Sequence, residues 1–190
     1  MRCGHRSSRR RRATERGAAT INVTWNRSVP AGTYWLIRRH DGAEDSIAVS
    51  GSSYADTSPV SGATYAYRLV ALADSRVSSN VDIATTMSFT NVTSGRTVSL
   101  SDYTQVLNAL NAVRKAVGWP AVTWSTIMPP SVEVPSTGRA VRAIHLTALR
   151  LRMEEALHAL GVAVGGYTDP DPFHLLIKAT YLQELQQRVQ

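Results

Sequence analysis

The hydrophobic period changes once along this chain, near residue 90, and that change limits the folds open to it. Between residues 20 and 85, apolar side chains recur at every second position in short runs. Ile21, Val23 and Trp25 share one face of Thr20–Trp25, and Tyr65, Tyr67, Leu69 and Ala71 share one face of Thr64–Ala71. Tyr34–Arg39, Ser46–Val49 and Val81–Thr85 are rich in strand formers, and turn residues such as His40-Asp41-Gly42 and Ser50-Gly51-Ser52 separate them. Short strands at about ten-residue spacing with polar turns predict an antiparallel β-sandwich.

Beyond residue 100 the spacing becomes three-and-four, the period of an amphipathic helix. Tyr103, Val106, Leu110, Val113 and Val117 form one stripe, with Ser101 as the expected cap and Gly118-Trp119-Pro120 as the stop. Leu146, Leu149, Met153, Ala156 and Leu160 form a second stripe, stopped at Gly161. The two stripes superimpose at an offset of 43 residues, and Trp124 falls on Tyr167 at the same offset. Val141–Leu149 then falls on Ile177–Leu185 at an offset of 36, with Arg152 on Arg188. This is an internal repeat whose third copy begins at Ile177. One such helix cannot bury its stripe alone, so the three are expected to pack on one another, with Trp119, Trp124 and Tyr167 against them. The excursion Ser125–Arg139, rich in Pro, Ser and Thr, interrupts the period.

Charge divides the chain differently. The net charge of +7 resides almost wholly in residues 1–16, where seven arginines face one glutamate. The remaining chain carries 14 basic and 13 acidic side chains, so it lacks the basic face that tracks phosphates, and nucleic acid is not an expected partner. Residues 1–17 read as a disordered Arg-rich leader, and arginine dominates over lysine throughout, 19 to 2, as in GC-rich coding sequence, which leaves open whether the leader is native. No run of about 18 uncharged apolar residues exists, so no membrane span is expected. The single cysteine, Cys3, has no intrachain partner. Asn22, Asn26 and Asn91 begin Asn-x-Ser/Thr tripeptides, which matter only along a eukaryotic secretory route.

In the first region the residues resemble the fibronectin type III domain. The resemblance rests on Val23-Thr24-Trp25, on Tyr54-Ala55-Asp56-Thr57, on Gly62–Ala71, and on Ser79-Asn80 before a last strand ending Thr85-Thr86. It implies an immunoglobulin-like sandwich over residues 18–87 in which Trp25, Tyr65 and Tyr67 are core residues and the Tyr65 hydroxyl bonds back to the chain at a corner. The place of a first strand is taken by the arginine leader, so the sandwich is expected to lack that strand or to hold a degenerate one. In the second region Val141–Arg150, Tyr167-Thr168-Asp169-Pro170 and Ile177–Leu185 resemble helical repeats at the C-terminal ends of large secreted or surface bacterial proteins. That implies location and modular context, not a reaction. His145 is replaced by Asp102 and Tyr181 in the other copies.

The expected organisation is therefore a multidomain β plus α chain: residues 1–17 leader, 18–87 fibronectin type III-like β-sandwich, 88–99 linker, and 100–190 helical repeat domain. Leu146, Leu149, Leu182 and Leu185 are the expected helical core. No nucleophile triad has the required flanks, and no glycine-rich phosphate loop follows a strand, so neither catalytic residues nor a cofactor are expected. His145, His158 and His174 do not make a metal site by spacing, nor do Asp169 and Asp171 make a calcium loop. Binding is expected on exposed loops, with His40, Asp41, Glu44 and Asp45 in one turn and Arg76 in another. The functional expectation is a non-catalytic surface or secreted bacterial module for spacing, adhesion or protein/glycan interaction, extracellular or cell-surface. Association through the helical repeats is a further expectation. Two alternatives stand beside it: the C-terminal accessory part of a secreted hydrolase, and an anionic-polymer binder acting through the leader.

Overall fold

The computed structural model describes residues 20–25, 33–72, 78–90, 98–139, 141–170 and 178–190. The leader, Cys3, Asn26, Arg76, Asn91, Asp171, His174 and the start of the third repeat at Ile177 lie outside those residues. Among the described residues six strands precede four helices: β1 Ile21–Thr24, β2 Tyr34–His40, β3 Ala43–Val49, β4 Ser53–Asp56, β5 Thr64–Ala71, β6 Asp82–Thr85, α1 Leu100–Val117, α2 Trp124–Ile127, α3 Ala143–Ala159 and α4 Ala179–Gln187. All pairing within the sheets is antiparallel, in one sheet of order β1-β4 and one of order β3-β2-β5-β6.

Alternation decides which side chains of the larger sheet meet the smaller one. Tyr34, Leu36, Val49, Tyr65 and Tyr67 are buried together, and Ile21, Val23, Trp25 and Tyr54 of β1, β4 and their ends pack against them. Val60 N–H donates to the Tyr65 hydroxyl at 2.8 Å, the corner bond that the sequence resemblance implies. The charged residues Glu44 and Asp45, read from sequence as part of a turn, are strand instead. Asp41 and Gly42 alone turn the chain, with φ of 51° and 74°, and a two-residue turn with both φ positive matches the twist of the flanking strands.

The helices are bounded as the repeat requires. Ser99, not Ser101, caps α1: the Ser99 N–H donates to Asp102 Oδ2 at 2.7 Å, and the Asp102 N–H closes the box on Ser99 Oγ at 3.4 Å. Ser101 reaches only the Ser99 hydroxyl. At the other end Gly118, φ 91°, lets its own N–H and that of Trp119 return to the carbonyls of Lys115 and Arg114. Tyr103, Leu110, Leu146, Leu149, Met153, Leu182, Leu185 and Val189 are fully buried where the three helices meet. Burying each such side chain stabilises the fold by about 1.5–3 kcal/mol.

The sequence predicts two separate interiors joined by a polar linker. Instead Ala66 and Ile83, on the outer face of the larger sheet, belong to the helical core, and Met87 and Phe89 of the connecting segment pack against it. Helix α1 lies on β5 and β2. Period-two alternation identifies the faces of a sheet but not what covers the second one, and small or branched residues there let a helix approach. No helix among the described residues is long and apolar enough to cross a membrane.

Candidate functional site

Three polar nodes and one exposed face account for most of the chemistry the described residues carry. The first node is Asp56 at the end of β4. It is fully buried, and its carboxylate accepts from Arg38 Nη1 at 2.9 Å, from the Tyr67 hydroxyl at 2.8 Å, and from the N–H and hydroxyl of Ser58 at 3.1 and 3.0 Å. Burial alone would raise this carboxyl, but Arg38, Ser58 and Tyr67 together hold it below its ordinary value. Burial, reinforced by the Asp56 charge, pushes the Tyr67 phenol well above its ordinary range. Arg38 also reaches Asp45 through Nη2 at 2.8 Å, so one guanidinium ties β2 to both β3 and β4.

The second node is the seam between the β2–β3 turn and the end of α1. The Gly42 N–H donates to the Ala116 carbonyl at 3.3 Å, Arg39 Nη2 to the Val117 carbonyl at 3.0 Å, and Lys115 pairs with Asp41 at 2.8 Å. A cation and an N–H at a helix C-terminus meet the carbonyls left unpaired there. A Cβ on Gly42 would stand 2.8 Å from the Cα of Gly118, so this backbone contact requires glycine for space as well as for φ. His40 stacks on Tyr65 with ring centroids 4.3 Å apart and has Nε2 3.4 Å from Asp41.

The third node joins the helical repeats. Arg150, which is 4% exposed, donates to the Asp169 carbonyl at 2.6 Å and to Glu184 at 3.3 Å, and its guanidinium lies 4.0 Å from the Tyr167 ring centre. Arg188 approaches the same ring to 3.9 Å while donating to the carbonyls of Gly165 and Gly166. The Tyr181 hydroxyl donates to Asp169 at 2.7 Å. Burial raises the Tyr167 phenol despite both guanidiniums. A groove of about 380 Å³ runs beside this node, lined by Leu157, Val162–Gly166, Thr168, Glu184, Gln187 and Arg188.

The expected binding residues are therefore dispersed. His40 and Asp41 serve the seam, Asp45 serves the Asp56 node, Glu44 is exposed on β3, and Arg76 lies outside the described residues. His145 is a cap: its Nδ1 accepts from the Arg142 N–H at 2.9 Å, so Nε2 donates to the Glu133 carbonyl at 2.9 Å. His158 is exposed on α3. Among the described residues no three His, Cys, Asp or Glu side chains are placed to hold a metal ion. Trp124 lies between Tyr103 and His145 as the repeat implies, but Trp119 is 38% exposed beneath Arg114 and does not pack into the helical core.

Sequence reasoning missed the Asp56 node and the outward face of β2. Tyr54–Asp56 entered it only through the family resemblance, and nothing local marks Asp56 as the partner of Arg38, 18 residues away. Alternation did contain the second signal, since Trp35 falls on the face opposite Tyr34 and Leu36. No family model, curated protein or solved structure matches the chain.

Proposed function

We propose that this chain is a non-catalytic module of a bacterial surface or secreted protein, which spaces, adheres or binds protein or glycan. Residues 18–87 form the binding or spacing part as a fibronectin type III-like sandwich, and residues 100–190 form a helical repeat unit docked on one of its faces. The sandwich part of this reading draws support from the two antiparallel sheets packed over Tyr34, Leu36, Tyr65 and Tyr67, and from the bond between Val60 N–H and Tyr65.

The observation that carries the functional reading is the engagement of the buried ionisable groups with one another. Asp56 is saturated by Arg38, Ser58 and Tyr67, and Arg150 is engaged by Asp169 and Glu184 through its two Nη atoms, with Nε buried and unpaired. General acid–base or nucleophilic work needs a group within hydrogen-bond reach of a substrate proton, and these groups already hold each other. The reading places the protein outside the cell or on its surface.

The test pairs a binding screen with a turnover screen on the full chain. Retention on a glycan or peptide surface, together with no product from polysaccharide and peptide hydrolase substrates, is the expected outcome. Turnover abolished by Asp56→Asn or Glu184→Gln would overturn the proposal.

A further inference from the structure

Among the described residues, α1 covers the outer face of the larger sheet at the end that holds Ala66 and Ile83. Ala66 and Ile83 lie under the helical core, whereas further along the same face Trp35 is 38% exposed. In register with Trp35 stand Ala48 on β3 and Val70 on β5. The next pair in the same direction on this face is Ser46 and Arg68, flanking Ile37. Ala48, Ser46 and Arg68 are exposed. Ala48 offers only a methyl beside the indole, which keeps 38% of its surface exposed, and one pleat repeat, about 7 Å, separates the Trp35 row from the Arg68 row.

Arg68 shares with Arg142, the residue that precedes α3, a guanidinium without an acceptor among the described residues, and differs in this from the other described arginines. Arg38 is paired with Asp45 and Asp56, Arg39 with a helix carbonyl, Arg114 with the Pro120 carbonyl, Arg139 with Glu133, Arg150 with Glu184, Arg152 with Glu155, and Arg188 with two glycine carbonyls. Arg68 has no acceptor among the described residues. A free planar guanidinium offers two parallel N–H donors to a carboxylate.

We propose that this face binds an acidic polysaccharide, with Trp35 stacked on one sugar ring and Arg68 donating to the carboxylate of a neighbouring hexuronate. The inference rests on reading the chain as a non-catalytic binding module. Size decides between a glycan and a protein partner. Between the α1-covered end and Leu72, which continues the β2–β5 pairing and is 47% exposed, the described face runs about six residues along each strand and three strands across, or roughly 20 Å by 10 Å. A stable protein interface needs about 800 Å² on each side, several times that patch. A short run of linked sugar rings fits it, and the amphipathic indole suits the apolar face of a sugar while Ser46 offers a hydroxyl. The unpaired cation selects an acidic polymer over a neutral one.

Isothermal titration of the full-length protein with an oligogalacturonate tests this, beside a neutral cello-oligosaccharide and polyglutamate, which carries the charge without the rings. Oligogalacturonate should bind, and Trp35→Ala and Arg68→Gln should each weaken it at least about tenfold, as removal of an aromatic or arginine anchor does. Both substitutions are at exposed positions, and an unchanged circular dichroism spectrum would exclude misfolding. Equal binding of polyglutamate, no binding of oligogalacturonate, or affinity indifferent to both substitutions would overturn the proposal. Binding of the neutral oligosaccharide that is lost in Trp35→Ala but unchanged in Arg68→Gln would overturn the acidic assignment and leave the module reading standing. Cleavage of the oligogalacturonate would instead overturn the module reading itself.

Discussion

The sheets and the helices satisfy their buried polar groups by opposite means. In the sheets, Asp56 gathers Arg38 from 18 residues away and Tyr67 from 11, so one carboxylate is felt in β2, β4 and β5 together. In the helices the same repeat position, the third residue after each cap, is Asp102 in α1, His145 in α3 and Tyr181 in α4. Asp102 and His145 each accept the N–H of a residue three positions earlier, and Tyr181 reaches Asp169 instead. A local need tolerates several side chains, and a non-local one does not. The arm before α4 is the helical exception, because Arg150, Tyr181 and Arg188 reach it from 12 or more residues away.

Breaking the non-local side of this contrast has the largest expected effect. Asp56→Ala leaves Arg38 and Tyr67 facing a buried gap and should destabilise the protein by about 4 kcal/mol in denaturant unfolding. The pH dependence follows the same node. The Asp56 carboxyl is held lower in the folded chain than in the unfolded one, so its contribution is complete above about pH 4 and fades as pH falls through the lower folded value. Asp56→Asn should flatten that acid limb of the stability profile, and a limb identical to wild type would show that another group governs it.

The helical core comes next. Leu149→Ala removes a fully buried side chain and should cost about 3 kcal/mol, read from the same unfolding curves. At the seam, Gly42→Val forces a branched residue into positive φ and against Gly118, with an expected loss of about 2 kcal/mol. The local side of the contrast is sharpened by His145→Ala, expected to cost about 1 kcal/mol, against His145→Asp, which supplies the acceptor found in the first repeat and should recover part of that loss. Equal losses in both variants would mean that the bond to Glu133, not the cap, sets the value of His145.

How far the sequence reached follows the same division. The repeat offsets placed Asp102, His145 and Tyr181 in one structural position, because helical spacing depends on near neighbours. Alternation likewise put Tyr65 and Tyr67 on the face that meets the smaller sheet. It gave no means of finding that Arg38 and Asp56 meet, or that α1 would cover Ala66 and Ile83, since both depend on how separate elements stack. The cap slipped from Ser101 to Ser99 because both are serines in reach of a helix start, and only Ser99 stands three residues before the Asp102 carboxylate. Charge in Ala43–Asp45 resembled a loop, yet the two-residue turn at Asp41-Gly42 draws these residues into a strand edge.

Amide hydrogen exchange on the full-length protein and its Gly42→Val variant tests most directly the picture of a helical core that extends onto the outer face of the larger sheet beside the Gly42–Gly118 seam. Exchange in the variant should rise at Ala116–Trp119, Ala66 and Ile83, while β1 and β4 around Asp56 and the α3–α4 contact keep wild-type protection. A uniform rise across sheets and helices, or no change at the seam, would contradict it.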